Sequence, residues 1–252
     1  MVRCAAKLNQ RGVRTFRMDM RGCGAGLELA RYPYHAGRSD DAAAALEAIA
    51  KLCPGSPTTL VGFSLGGNIT LKLMGETRHH APGNLVRGVA VCPPVDLKVC
   101  ADSIQRASRA PYKRYFLSLL VQHIEQQREA LPDSPLAHFS GNPKSIWEFD
   151  DTFTAQVCGF GTAENYYRAC SSSGFIPGIR LPALILASRD DPLIPVEPFQ
   201  KLKLSSTTEL AITNGGGHLG FISNGQDDPD NRWMDWRVIE WVLDRPVESS
   251  ET

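Results

Sequence analysis

The chain has 252 residues, enough for one α/β domain with a sizeable core. Its hydrophobic residues make up 42% and its charged residues 21%, as in soluble globular proteins. Lys+Arg and Asp+Glu both number 27, so no basic excess points to a nucleic-acid partner, and no run of about 18 apolar residues encodes a transmembrane segment.

The seven cysteines (Cys4, Cys23, Cys53, Cys92, Cys100, Cys158 and Cys170) are odd in number and include no C-x-x-C. They read as reduced thiols in a cytoplasmic protein, not as a disulfide framework or a zinc site. Met1-Val2-Arg3-Cys4 begins no signal-peptide pattern.

Residues 2–11 predict a short helix that stops before Gly12. Val13 to Met20 predicts a strand with Val13, Phe16, Met18 and Met20 as its apolar members. The loop that follows, Gly22-Cys23-Gly24-Ala25-Gly26, lacks the G-x-G-x-x-G spacing of a dinucleotide cradle and reads as a tight turn. Ser39 predicts a helix cap, with Asp40 and Asp41 in the first turn where the macrodipole favours them. Ala42, Ala45, Leu46, Ile49 and Leu52 then recur at helical spacing until Pro54-Gly55.

Thr59 to Phe63 is a β-prone run that enters Gly62-Phe63-Ser64-Leu65-Gly66, a G-x-S-x-G, and a helical pattern leaves it through Met74. A nucleophile elbow has this context: a strand, a tight turn that exposes the serine, then a helix. The flanking glycines are expected because side chains there would strike the neighbouring backbone. Val86 to Cys92 is a further strand, ended by Pro93-Pro94. The alternation of strand and helix implies a mainly parallel sheet with helices on both faces.

Residues 97–180 interrupt that alternation with helical patterns. Pro111 starts a helix with Tyr115, Phe116, Leu119, Leu120 and Ile124 on one side. Ser145-Ile146-Trp147-Glu148 fits a capping box, and Thr162 caps a helix carrying Tyr166 and Tyr167. This insertion is either a cap over the site or an outer helical layer. Leu181 to Ser188 returns to a nearly all-apolar strand that delivers Asp190-Asp191-Pro192. Glu209 to Thr213 is the last strand and delivers Gly215-Gly216-Gly217-His218. Asp228-Pro229 predicts the start of a final helix, buried through Trp233, Met234, Val238, Trp241 and Val242. Residues 1–252 form a single domain, with 246–252 as a flexible tail.

Ligands of open α/β sheets bind beyond the carboxyl ends of the strands. Three such ends deliver Ser64, then Asp190-Asp191, then His218, the chain order of α/β-hydrolases. Ser64 would be the nucleophile and His218 its base and later its acid. An aspartate would hold the imidazole, and the Leu65 N–H would serve the oxyanion hole. His35, His79, His80, His123 and His138 show no metal-ligand spacing and read as surface or packing residues, so neither metal nor cofactor is expected.

Beyond single motifs, the chain resembles the YheT-like branch of the α/β-hydrolases, related to the animal ABHD1/ABHD3 group. The resemblance runs through Arg21-Gly22-Cys23, Tyr34-His35-Ala36-Gly37, Gly62 to Asn68, Phe149-Asp150-Asp151, Asp190-Asp191-Pro192 and Gly216 to Phe221. It implies the α/β-hydrolase fold and a serine hydrolase acting on carboxylic esters, a short-chain carboxylesterase or monoacylglycerol-lipase-like enzyme. Its substrate would be a small-molecule acyl ester or a lipid-like one. Asp191-Pro192-Leu193-Ile194-Pro195 resembles the D-x-x-V-P ending of the family, which favours Asp191 as triad acid with Asp190 as the alternative.

The resemblance also implies that N-terminal strands and an oxyanion loop with an His-Gly motif are missing ahead of Val13, as if Met1 were an internal methionine. A missing strand between Val13–Met20 and Thr59–Phe63 would leave a gap in the sheet or make the two pair directly. The same triad could instead serve an acyltransferase, thioesterase or peptidase, and loss of the loop could leave a catalytically impaired binding scaffold.

Overall fold

The computed structural model describes residues 1–77, 80–106, 109–135, 141–224 and 228–243. His79, His138 and the expected tail 246–252 lie outside the described residues. In chain order the elements begin with α1 (Val2–Asn9), α2 (Ser39–Leu52), β1 (Thr58–Phe63), α3 (Leu65–Glu76) and β2 (Leu85–Val91). Next come α4 (Leu97–Ile104), α5 (Ala110–Ala130), α6 (Ile146–Phe149), α7 (Ala155–Val157) and α8 (Ala163–Cys170). The order ends with β3 (Ala183–Ser188), α9 (Glu197–Gln200), β4 (Thr208–Thr213) and α10 (Trp233–Val242).

The four strands form one parallel sheet in the order β1-β2-β3-β4. Its central strands are apolar on both sides because helices cover both faces. Ala90, Ala183, Ile185 and Ala187 pack with Leu46 of α2 and Leu71 and Met74 of α3. Their neighbours Val89, Val91, Leu184 and Leu186 pack with Met234, Val238 and Trp241 of α10. Side-chain alternation along each strand thus divides the core in two. Leu8 of α1 docks against Trp236 and Ile239 of α10. Arg3 and Lys7 of α1 pair with Asp235, which is wholly buried. No helix among the described residues is long and apolar enough to cross a membrane.

The expected strand Val13–Met20 is not formed: these residues make no ladder with any strand. A strand exists only where a partner accepts its hydrogen bonds. The outer edge of β1 is likewise unpaired among the described residues, so the sheet shows the gap and not the direct pairing. Phe16 and Met18 are accordingly 47% and 50% exposed.

Two helix starts also differ from expectation. Ser39 is the first residue of α2 and caps nothing; its hydroxyl donates to Glu76 Oε2 at 2.6 Å, and buried Lys72 donates to it at 3.2 Å. The final helix begins at Trp233, not at Asp228-Pro229. Asp228 instead pairs with Arg237 at 2.7 Å, and Asp230 accepts from Trp236 Nε1 at 2.9 Å.

Within the insertion the caps lie as expected. Glu148 N donates to Ser145 Oγ at 2.9 Å and Asn165 N to Thr162 Oγ1 at 3.2 Å, although Glu148 reaches back to Lys144 N, not Ser145 N. Between α6 and α7 the backbone passes through a π-helical turn, Asp150–Thr154.

Candidate active site

Ser64 stands between the end of β1 and the start of α3, with φ 50° and ψ −119°. This sparsely populated conformation is held because Ser64 N donates to Val91 O at 2.8 Å, and Gly67 N to Ser64 O at 2.8 Å. A Cβ on Gly62 would come within 2.2 Å of Gly66 O, so that glycine is required. Gly66 differs from expectation: a Cβ there meets only Met20 Cε, at 3.9 Å. The second tight position is Gly67, whose Cβ would lie 3.1 Å from Pro93. Leu65 opens α3, so its N–H has no intrahelical carbonyl and sits at the positive end of the helix.

The three strand ends bring Ser64, Asp191 and His218 together. His218 Nε2 lies 3.0 Å from Ser64 Oγ, and His218 Nδ1 lies 2.9 Å from Asp191 Oδ2. Asp191 is 5% exposed, and its other oxygen accepts from Leu193 N at 2.8 Å and Ile194 N at 3.0 Å. Asp190, the alternative acid, instead accepts from Ser188 Oγ and from Gly217 N. Those two hydrogen bonds hold its carboxyl below the usual range. Asp190 thereby pins the loop bearing His218, which is tied further by Gly220 N and Phe221 N donating to Gly216 O at 3.0 and 2.9 Å.

Cys92, Asp191 and His218 offer ligand atoms within 4.8 Å of one another. They are poorly suited to a cation. Both ring nitrogens of His218 already face Asp191 and Ser64, and burial first, with the field of Asp191, pushes the Cys92 thiol up to about 12.

A cavity of 320 Å³ opens on Ser64 and Leu65. Its far walls come from the insertion, among them Leu97, Ile104, Phe116, Leu120, Phe149 and Phe153. The insertion therefore supplies walls of the cavity on which Ser64 opens. Cys100, Ile124 and Ile194 continue this hydrocarbon lining.

Three contributors escaped the sequence reading. Asn68 is fully buried; its Nδ2 donates to Ala36 O at 3.0 Å and Cys170 O at 2.8 Å, and its Oδ1 accepts from Ser172 N at 2.9 Å. It ties the elbow helix to the loop before α2 and to the end of the insertion. His35 lines the cavity and accepts from Gly37 N; burial first, then the Arg38 charge, lowers it to about 4. Asp150 also lines the cavity, and burial raises it to about 6. Only the quoted motifs Tyr34-His35 and Phe149-Asp150 could have drawn attention to the last two.

A parallel sheet covered on both faces, with serine, aspartate and histidine beyond the ends of β1, β3 and β4, defines an α/β-hydrolase. Residues 2–230 match the Alpha/beta hydrolase family, and the chain belongs to it. YheT of Escherichia coli is 31% identical over 229 residues, 89% of this chain and 66% of YheT. The monoacylglycerol lipase of Saccharomyces cerevisiae is 28% identical over 85% of this chain and 49% of its own length. For the phospholipase ABHD3 of Mus musculus the values are 26%, 84% and 52%. The chain thus spans about half to two thirds of the length of the curated relatives it matches. Among solved structures, the esterase Pf2001 of Pyrococcus furiosus superposes with a TM-score of 0.56 at 16% identity, covering 96% of this chain and 76% of that one. Est1E of Butyrivibrio proteoclasticus gives 0.56 at 17%, covering 97% and 82%. At these identities the structures speak for the fold alone.

Proposed function

We propose that this protein is a serine hydrolase that cleaves carboxylic esters through an acyl-enzyme on Ser64, in the manner of a short-chain carboxylesterase or a monoacylglycerol lipase. The observation that carries this reading is the unbroken chain from Ser64 Oγ to His218 to Asp191, at 3.0 and 2.9 Å. Ser64 Oγ attacks the ester carbonyl while His218 Nε2 takes its proton. The Leu65 N–H donates to the oxyanion. On collapse the C–O bond to the alcohol breaks, and His218 returns the proton to the leaving oxygen. Water, deprotonated by His218, then releases the carboxylic acid and restores Ser64. Asp191 fixes the imidazole's tautomer throughout. The esterase and lipase relatives agree with this chemistry, and the hydrocarbon-lined cavity suits an acyl chain.

An alkyl fluorophosphonate tests the proposal. It should label Ser64, and p-nitrophenyl butyrate should be hydrolysed; both signals should vanish in Ser64→Ala. Neither labelling nor turnover above the Ser64→Ala background would sink it. A binding scaffold is the second reading, favoured because Leu65 is the sole oxyanion donor assigned. Loss of one donor costs about 10²–10³ in kcat. A longer chain supplying a second N–H should then turn over faster by about that factor.

A further inference from the structure

The cavity beside Ser64 is mostly hydrocarbon, and two of its polar groups lack full partners. Asp150 heads the π-helical turn, a feature that clusters at functional sites. Tyr167 Oη donates to its Oδ2 at 2.7 Å and Thr154 Oγ1 to its Oδ1 at 2.8 Å. Each oxygen keeps lone-pair capacity, and among the described residues no cation pairs with it. Protein surrounds the carboxyl, yet part of its surface faces the cavity. Across the same cavity wall, the Tyr34 ring leans on His123 with centroids 5.3 Å apart, and its hydroxyl has no hydrogen-bond partner among the described residues. Burial first, then Cys23 and then Asp150, pushes that phenol up to about 12, and Tyr34 and Asp150 line the same cavity.

A carboxylate without a cation is costly to bury, and a phenol at the cavity wall with no acceptor among the described residues is ready to donate to a ligand. One ligand group can satisfy the two together if it both donates and accepts. A hydroxyl does so. A quaternary ammonium would leave Tyr34 unpaired, and a second carboxylate would be repelled by Asp150. We propose that Asp150 and Tyr34 select substrates that carry a hydroxyl inside this cavity, with Asp150 accepting its hydrogen and Tyr34 donating to its oxygen. The inference rests on the hydrolase reading above and names a substrate feature for that site.

The hydroxyl can belong to the alcohol or the acyl half of the ester. Two substrate pairs separate these sources: 1-monooctanoylglycerol against propyl octanoate, and ethyl 8-hydroxyoctanoate against ethyl octanoate. In one pair the hydroxylated member should be favoured in kcat/KM by about tenfold or more, as expected for a hydrogen bond to a charged group. Tyr34→Phe should cut that ratio several-fold and still fold, because the hydroxyl it removes has no hydrogen-bond partner among the described residues. Asp150→Leu should abolish the ratio, with thermal unfolding reporting the separate loss of the Tyr167 and Thr154 bonds. Equal rates within both pairs, a ratio that survives both substitutions, or octanoylcholine outpacing every hydroxylated ester would overturn the proposal. Should no ester turn over, the hydrolase reading fails by itself. Thermal shifts then decide this one: 1-O-octylglycerol should stabilise the protein more than octyl propyl ether, Tyr34→Phe should shrink the difference and Asp150→Leu should erase it, and equal shifts in the unsubstituted protein would overturn the proposal.

Discussion

At the residue scale, two buried groups of opposite character shape the response to pH. His35 falls from 6.5 to about 4, chiefly through burial. Its contribution to stability is present above 6.5 and is lost as pH falls through 4. Asp150 rises from 3.8 to about 6, again through burial, so its contribution is present below 3.8 and is lost as pH rises through 6. Each amounts to about 3 kcal/mol on an order-of-magnitude footing, and between pH 4 and 6 the two slopes oppose each other. Thermal unfolding against pH should therefore show stability falling across this range in His35→Gln and rising in Asp150→Asn.

The two adjacent aspartates should separate just as clearly. Asp191→Asn should lower kcat about 10⁴-fold by disturbing the imidazole tautomer. Asp190→Asn keeps an acceptor for Gly217 N and should cost about tenfold or less. Gly62→Ala should prevent the elbow from forming, while Gly66→Ala should fold and gain up to about 1 kcal/mol from helix propensity. Urea unfolding of the purified variants measures both. The convergence of Ser64, Asp191 and His218 was legible in the sequence because each follows a short apolar strand and carries its own turn signal. His35 and Asp150 were not, since their importance comes from burial by chain remote in sequence.

At the scale of elements, Asn68 joins three segments that no strand connects. Asn68→Ala leaves Ala36 O, Cys170 O and Ser172 N without their partner inside the protein. The expected loss is about 4 kcal/mol, read as a lower urea midpoint with unchanged slope. A local pattern foretold the four observed strands, because continuous apolar runs are what a sheet covered on both faces demands. The same pattern misled at Val13–Met20, where four apolar residues recur but no neighbouring strand completes the ladder. Asp228-Pro229 likewise carried a helix-start signal, but its carboxylate is taken by Arg237 from the helix that begins later. Tertiary partners, absent from any window of sequence, decide both cases.

At the scale of the whole molecule, one edge of β1 is paired with no strand among the described residues, and the exposed Phe16 and Met18 add apolar surface. Open edges recruit other strands. Sedimentation should show concentration-dependent self-association of this chain, and Phe16→Lys with Met18→Lys should weaken it; a monomer at every concentration would count against this. The distribution of tryptophan has a different consequence. Of the four in the chain, Trp233, Trp236 and Trp241 all lie on α10, behind the sheet, while Trp147 lies on α6 and is 43% exposed. The molecule therefore carries two optical reporters. Replacing Trp147 with Phe leaves an emission that follows the docking of α1 and α10, and the difference spectrum follows the helical insertion. Unfolding watched through both signals would tell whether the insertion loosens before the sheet gives way.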